Sequence, residues 1–374
     1  MRLLALMTDG FGRSGGIARY NQDLLAALSQ SGAVAQVSVL PRFASAAPAT
    51  AMMPALPAKV HQLAPSPGRA AWAVRALTLA ARERFDALIC GHLHALPLAA
   101  AIARLRQLPL WVQLHGIEAW QPPGRLGGLY RRSLAAAALV TSVSRYTRAR
   151  VLAWSDLPPH RLRVLPNTVD ARFVPAPRSP QPPELAGLAV RHGLEGRRIL
   201  LTVGRLSAAE RYKGHDRLIA ALPAIHAAVP AAAYLIVGDG DDRPRLERLA
   251  RESGAGARVV FAGHVPDAEL LRYVALADAF AMPSTGEGFG IALIEAAAAG
   301  VPVIGGSRDG SADALADGRI GRLVDPHDGA QIAAAVIDAL GGRHPVADAA
   351  RQARRFAFDR FASHVDALVR TLAH

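Results

Sequence analysis

Ser284-Thr-Gly-Glu-Gly-Phe-Gly-Ile-Ala-Leu-Ile-Glu295, continued by an alanine-rich run to Gly300-Val-Pro-Val303, is the stretch around which the chain is organised. Asp278 to Met282 ahead of it has the short apolar pattern of a buried strand. Pro283 to Gly290 is a loop with three glycines, and Ile291 to Ala299 has helical character, ended by Gly300. A strand, a glycine loop and a helix N-terminus make a place where backbone N–H groups and the helix dipole hold phosphate. Glu287 in the loop and Glu295 in the helix frame it, with seven residues between them. A carboxylate cannot itself hold phosphate, so these two are suited to accept hydrogen bonds from hydroxyls on either side of it, one from a sugar and one from a ribose. Glycine-rich turns also serve tight packing alone, and helical glutamates are often solvated, so the glycines by themselves do not decide.

Length points to two domains, since 374 residues exceed the usual single core. With 51% hydrophobic and 20% charged residues the chain is a folded protein, not a disordered one. The single Cys90 cannot form an internal disulfide, so nothing signals an oxidising compartment. The opening Met1 to Met7 is broken at once by Thr8-Asp-Gly10 and reads as a first strand rather than a signal peptide, which gives a cytoplasmic expectation. The formal net charge of +13 is unevenly placed: residues 1–180 carry 21 Arg/Lys against 7 Asp/Glu, and residues 181–374 carry 22 against 23. A basic first half favours an anionic surface such as phospholipid, a phosphorylated acceptor or nucleic acid. Lys59 and Lys213 are the only lysines. A lysine kept where arginine is the rule suggests a point-charge contact.

The full string Glu287 to Glu295, with Ala-Ala-Gly-Val-Pro-Val-Ile304 behind it, resembles the donor-site signature of the retaining family 4 glycosyltransferases. Other landmarks agree. Asp9-Gly-Phe-Gly-Arg-Ser-Gly-Gly16 is a second glycine loop, opening onto a helix from Ile17 to Ser29, and Gly15-Gly16 match the pair that approaches the donor phosphate in that family. A tight first turn in an α/β unit is the plainer reading of the same residues. His115-Gly116, just after the strand Leu108 to Leu114, resembles the family's active-site histidine, at the carboxyl end of a strand where ligands bind in open α/β sheets. Pro166-Asn-Thr-Val-Asp170 is a further landmark, and Gly263-His-Val-Pro266, with Val265, lies near the nucleotide base in the resemblance.

Arg205 and Lys213 both precede the helix Arg217 to Ala228, where two cations can neutralise a diphosphate. The commonest family spacing between them is shorter, which leaves Arg211 as a rival to Arg205. Gly238-Asp-Gly240 lacks the third glycine of a dinucleotide fingerprint and reads as an ordinary turn. The segment Pro41 to Pro67 reads as a long irregular connection, Arg69 to Phe85 as a basic helix that packs on a sheet or lies on a membrane, and Pro175 to Gly187 as a proline-rich linker.

The resemblance implies the GT-B architecture, two doubly wound Rossmann-like α/β domains facing each other across a cleft. The domains are expected at 1–174, for the acceptor, and 198–356, for the nucleotide sugar, with 175–197 as linker and 357–374 a helix crossing back to the first. It implies transfer of a hexose from a nucleoside-diphosphate sugar to a hydroxyl of a lipid-linked or saccharide acceptor, with retention, no cofactor and no metal. His115, Glu287, Lys213 and Arg205 are the implied catalytic residues. Gly15, Gly16, Arg205, Lys213, Val265, Glu287, Gly288, Phe289, Gly290, Ile291 and Glu295 are the implied donor contacts. Peripheral contact with an anionic membrane is expected, and no nucleic acid. The alternatives from the same residues are an anionic-membrane or nucleic-acid binding protein, argued from the basic half alone, and a non-transferring GT-B enzyme such as a nucleotide-sugar epimerase.

Overall fold

The computed structural model describes the chain except for residues 14, 44–55, 123, 176–181, 344–347 and 373–374. It forms two compact units, one of Met1–Thr168 with Phe358–His374 and one of Val169–Ala357.

In the first unit, short runs of Leu, Ile, Val and Ala form seven parallel strands: β1 Arg2–Met7, β2 Gln36–Pro41, β3 Val60–Gln62, β4 Ala87–Cys90, β5 Leu110–Leu114, β6 Leu139–Ser142 and β7 Leu162–Val164. Their order is β3-β2-β1-β4-β5-β6-β7. Strands covered by helices on both faces are apolar throughout rather than alternating, which is why Leu3 to Met7 and Ala87 to Cys90 are wholly buried. Trp111 in β5 is fully buried and donates its indole N–H to Thr141 Oγ1 in β6 at 2.9 Å, so the large ring is sealed in without an orphaned donor. The last helix, Phe358–Arg370, packs on the helix Gly16–Gln30. Tyr20 meets Phe361 edge to face at 5.7 Å, and Ser31 Oγ donates to Asp366 Oδ1.

The second unit repeats the pattern with β8 Arg198–Val203, β9 Ala232–Val237, β10 Val259–Gly263, β11 Ala279–Met282, β12 Val303–Gly306 and β13 Arg322–Val324, in the order β10-β9-β8-β11-β12-β13, again all parallel. Its core centres on Tyr234, Ile236, Leu218 and Leu222, with the Tyr234 hydroxyl 2.9 Å from Thr202 Oγ1. Burying each such apolar side chain contributes about 1.5–3 kcal/mol.

The division falls at Thr168/Val169 rather than after Val174. The Val169 N–H donates to Phe356 O at 2.9 Å, Val169 bridges Ala357, and Phe173 is buried, so these residues are already tied to the second unit. The linker expected over Pro175–Gly187 lies in part outside the described residues. From Pro183 it is the helix Pro183–Arg191, which a proline in the first turn starts without losing a hydrogen bond. The irregular connection expected over Pro41 to Pro67 also lies partly outside them, and its described part is not wholly irregular, since Val60–Gln62 pairs with β2 as β3.

In each sheet the order reverses beside its first strand, between β1 and β4 and between β8 and β11. The loops leaving the carboxyl ends of those pairs diverge there, which is where open α/β sheets bind ligands.

Candidate functional site

In the second unit the switch point joins the loop after β8 to the loop after β11. The Thr285 N–H donates to Tyr212 O at 2.9 Å, and the Arg217 guanidinium reaches Pro283 O at 2.9 Å. Two glycines allow this closeness. A Cβ on Gly214, whose φ is +84°, would stand 2.6 Å from Pro283 O, and one on Gly286 would stand 2.5 Å from Tyr212 Cγ.

The loop after β12 locks the same region from the other side. Asp309, almost fully buried, accepts the Glu287 N–H at 2.8 Å through Oδ2 and the Ser311 N–H at 2.9 Å through Oδ1, while the Gly310 N–H donates to Glu287 O at 2.9 Å. Both peptide groups of Glu287 are therefore held. Burial raises its carboxyl above the ordinary range, a shift that the Lys213 ammonium opposes. Asp309 is likewise raised by burial, against the N–H groups it accepts.

Phe289 is buried and meets Phe356 edge to face at 5.2 Å, anchoring the loop. Gly290 at φ +95° begins the helix Ile291–Ala298, which has neither a side-chain cap nor an acidic residue in its first turn. Its leading N–H groups beside Gly288 and Ile291 can therefore receive an anion. Glu295 stands one turn in, partly exposed.

Lys213 and Arg205 meet at a residue the sequence reading did not single out. Glu210 Oε2 lies 2.9 Å from Lys213 Nζ, and Glu210 Oε1 pairs with Arg205. The lysine tail lies across Gly204, where a Cβ would come within 3.0 Å of Nζ. Arg211, the rival, is engaged elsewhere: its Nε and terminal nitrogen contact Asp242 Oδ1 at 2.9 and 2.7 Å, and Arg245 holds the same carboxylate at 2.6 Å. The Arg245 and Arg211 hydrogen bonds keep the Asp242 carboxyl below its ordinary range. Val265 follows β10 on a partly exposed loop.

In the first unit, His115 follows β5 and its Nε2 lies 2.8 Å from the carbonyl of Gly91, which follows β4. A carbonyl only accepts, so Nε2 carries the proton and Nδ1 is left as the acceptor. Tyr20 packs edge to face on the ring at 5.1 Å, and His92 stacks at 6.1 Å. Gly15 (φ +110°) and Gly16 are exposed at the start of the helix Gly16–Gln30, which also lacks a side-chain cap and an acidic first turn. Their loop is held by residues the motif did not reveal: Gln62 exchanges two hydrogen bonds with Phe11, and Asn21 donates to Asp9 O at 2.8 Å. Lys59 is structural, its Nζ capping the end of the same helix at Ser31 O, 2.8 Å away.

The basic helix of this unit is Gly68–Arg82. Trp72, Ala76 and Ala80 face inward, while Val74 and Leu77 are exposed beside Arg69 and Arg82. In the helix Gly127–Ala135, Leu129 is exposed with Arg131 and Arg132. Among the described residues no helix is long and apolar enough to cross a membrane.

Residues 14–173 match the model of Glycosyltransferase Family 4, and residues 189–356 that of Glycosyl transferases group 1. A GDP-mannose-dependent alpha-(1-6)-phosphatidylinositol monomannoside mannosyltransferase of Mycobacterium tuberculosis is 35% identical over 277 residues, covering 71% of this chain and 70% of that protein. The protein of the same description from Mycolicibacterium smegmatis is 38% identical over 233 residues, 60% of this chain, and the match spans 59% of that protein's length. Anabaena HepE, solved in complex with UDP, aligns at a TM-score of 0.75 with 20% identity, covering 99% of this chain and 100% of its own, and so shares the fold, which is GT-B. With both halves matched and a relative of this identity aligned over most of its length, the chain belongs to glycosyltransferase family 4.

Proposed function

We propose that the protein is a retaining hexosyltransferase that moves a hexose from a nucleoside-diphosphate sugar to a hydroxyl of a lipid-linked or saccharide acceptor, in the synthesis of glycolipid or cell-surface polysaccharide. The observation that carries this reading is the convergence of Lys213, Arg205 and Glu287 beside the uncapped helix at Ile291, at the switch point of the second sheet. Two cations and a helix N-terminus suit a diphosphate, and a held carboxylate suits the hydroxyls of the attached sugar. Glu295 is assigned to the ribose, Val265 to the base, and Gly15 and Gly16 to the phosphate approach from the first unit. His115, with Nδ1 as acceptor, is assigned to the reacting centre.

The bond between the anomeric carbon and the phosphate oxygen breaks as the acceptor oxygen bonds to the same face. The acceptor proton passes to the departing diphosphate, whose growing charge Lys213 and Arg205 stabilise without a metal or cofactor. The first unit is assigned to the acceptor and to reversible contact with the inner face of the cell membrane. The mycobacterial relatives, which are phosphatidylinositol monomannoside mannosyltransferases, support a lipid acceptor. The donors to be compared are UDP-, GDP- and ADP-sugars, with GDP-mannose first for the same reason.

The deciding experiment measures nucleoside-diphosphate release from that donor panel, with and without phosphatidylinositol-type and saccharide acceptors. Acceptor-dependent release from one donor, with the anomeric configuration kept in the product, is expected. If every donor is left intact, or is converted to its epimer without transfer, the transferase reading is lost.

A further inference from the structure

We propose that Glu210 is an internal counter-ion that competes with the donor's diphosphate for Arg205 and Lys213, and thereby weakens the protein's hold on nucleoside diphosphate. The inference rests on the nucleotide-sugar reading of this site and goes beyond it, since nothing in that reading needs an acid here.

Three carboxylates crowd the switch point, Glu210, Glu287 and Asp309, against two cations, Arg205 and Lys213. The formal sum is −1, a poor charge for a site that must take a diphosphate. The three acids are not equivalent. Asp309 is committed to the N–H groups of Glu287 and Ser311, and Glu287 is held by both of its peptide groups. The two carboxylate oxygens of Glu210 instead face the two cations that the phosphates require.

The cations differ in a way that suits exchange. Lys213 is 13% exposed and Glu210 12%, so an ammonium there without a counter-charge would lose much of its solvation. Arg205 is 79% exposed, and its long side chain can turn from a carboxylate to a phosphate at little cost. Glu210 thus keeps the buried lysine neutralised and in place across Gly204, and an incoming phosphate must displace or repel its carboxylate. The consequence is weaker binding of donor and of the departing nucleoside diphosphate alike, which favours release after transfer.

Calorimetric titration of GDP and UDP, and of guanosine and uridine, into the wild-type chain, Glu210→Gln and Lys213→Ala tests this. Glu210→Gln is expected to bind the preferred nucleoside diphosphate roughly 3- to 30-fold more tightly. Its affinity for the uncharged nucleoside should not change. Glu210→Asp, which keeps the charge but draws it back from the cations, should shift in the same direction by less, and covers the case in which the glutamine variant does not fold. Unchanged or weaker nucleoside-diphosphate binding overturns the proposal, as does an equal gain for the nucleoside, which would mean a widened pocket rather than a removed competitor. Wild-type binding that Lys213→Ala weakens while Glu210→Gln leaves it alone overturns the proposal and keeps the site. Absence of saturable binding by the wild type removes the site reading and this proposal together.

Discussion

Asp309 and Glu287, 22 residues apart in sequence, are joined by a 2.8 Å hydrogen bond from the Glu287 N–H to Oδ2 of Asp309. The contact ties the loop after β12 to the loop after β11, so a residue with no place in the motif fixes the backbone that carries the motif's first carboxylate. Asp309→Ala leaves two buried N–H groups without an acceptor, which should cost about 2–4 kcal/mol of stability and lower kcat more than it weakens nucleoside-diphosphate binding. Asp309→Asn keeps one acceptor and should fall between. Denaturant unfolding paired with steady-state kinetics checks both, and an alanine variant with wild-type kcat would dismiss the clamp.

Lys213→Ala should lower transfer by roughly two to three orders of magnitude, the range for losing one charge stabiliser in a shielded site. The fold should survive, because the side chain lies across a loop and outside the core. Turnover within a few-fold of wild type, in a variant with an unaltered melting curve, would remove Lys213 from the mechanism.

Glu287→Gln and Glu295→Gln should separate in their kinetics. Hydroxyls of the reacting sugar gain charge-assisted bonds as the transition state forms, whereas ribose bonds are equal before and during reaction. The first variant is thus expected to lose kcat, and the second chiefly affinity for donor and nucleoside diphosphate. If calorimetry finds nucleoside-diphosphate affinity unchanged in Glu295→Gln, the ribose assignment is wrong.

Stability should fall on mild acidification, with the largest histidine contributions from His92 in the first unit and His215 in the second, and smaller ones of the same sign from the burial-lowered His192 and His226. Burial pulls the imidazoles of His92 and His215 down to about 4. The unfolded chain takes up these protons near pH 6.5 while the folded one does not until about pH 4, so the stabilisation present above 6.5 is lost as pH drops through that window. Each contributes a loss on the order of 2 kcal/mol by pH 5. His92→Asn, which keeps an acceptor for the His94 N–H, should flatten the pH dependence of the first unit, and His215→Asn that of the second. Melting curves at pH 7 and pH 5 check this, and variants that keep the full wild-type slope would rule out burial of these rings as its source.

The first unit should bind vesicles rich in anionic lipid at low salt. Val74, Leu77 and Leu129 are exposed beside Arg69, Arg82, Arg131 and Arg132, and each basic residue near an anionic bilayer contributes about 1 kcal/mol within a Debye length of about 8 Å. Replacing those four arginines and Arg84 with glutamine should abolish sedimentation with the vesicles. Arg75 is left in place because its guanidinium donates to Ala64 O. Equal sedimentation of the substituted protein, or none by the wild type, would point to a soluble acceptor.

The sequence by itself determined what depends on neighbouring residues. Apolar runs of strand length alternating with helical spacing marked out β1, β5 and β11 and the helices Gly16–Gln30 and Ile291–Ala298 to within a residue or two, because these periods are written into consecutive positions. The glycines at 286, 288 and 290 and the two glutamates were legible for the same reason, since a loop opening onto a helix is a local object. The tertiary structure alone decided which distant residues complete the site. Glu210 became the meeting point of Arg205 and Lys213 because the turn Ala208–Lys213 folds back over Gly204, and Arg211 was withdrawn by Asp242, 31 residues away. Asp309 holds Glu287, and Gln62 holds the loop at Phe11 from 51 residues away, only because parallel strands bring their carboxyl ends to the same edge of the sheet. Pairings of that kind follow from strand order, which no local period encodes, so a motif shows where the chemistry lies while the sheet selects the residues that hold it in place.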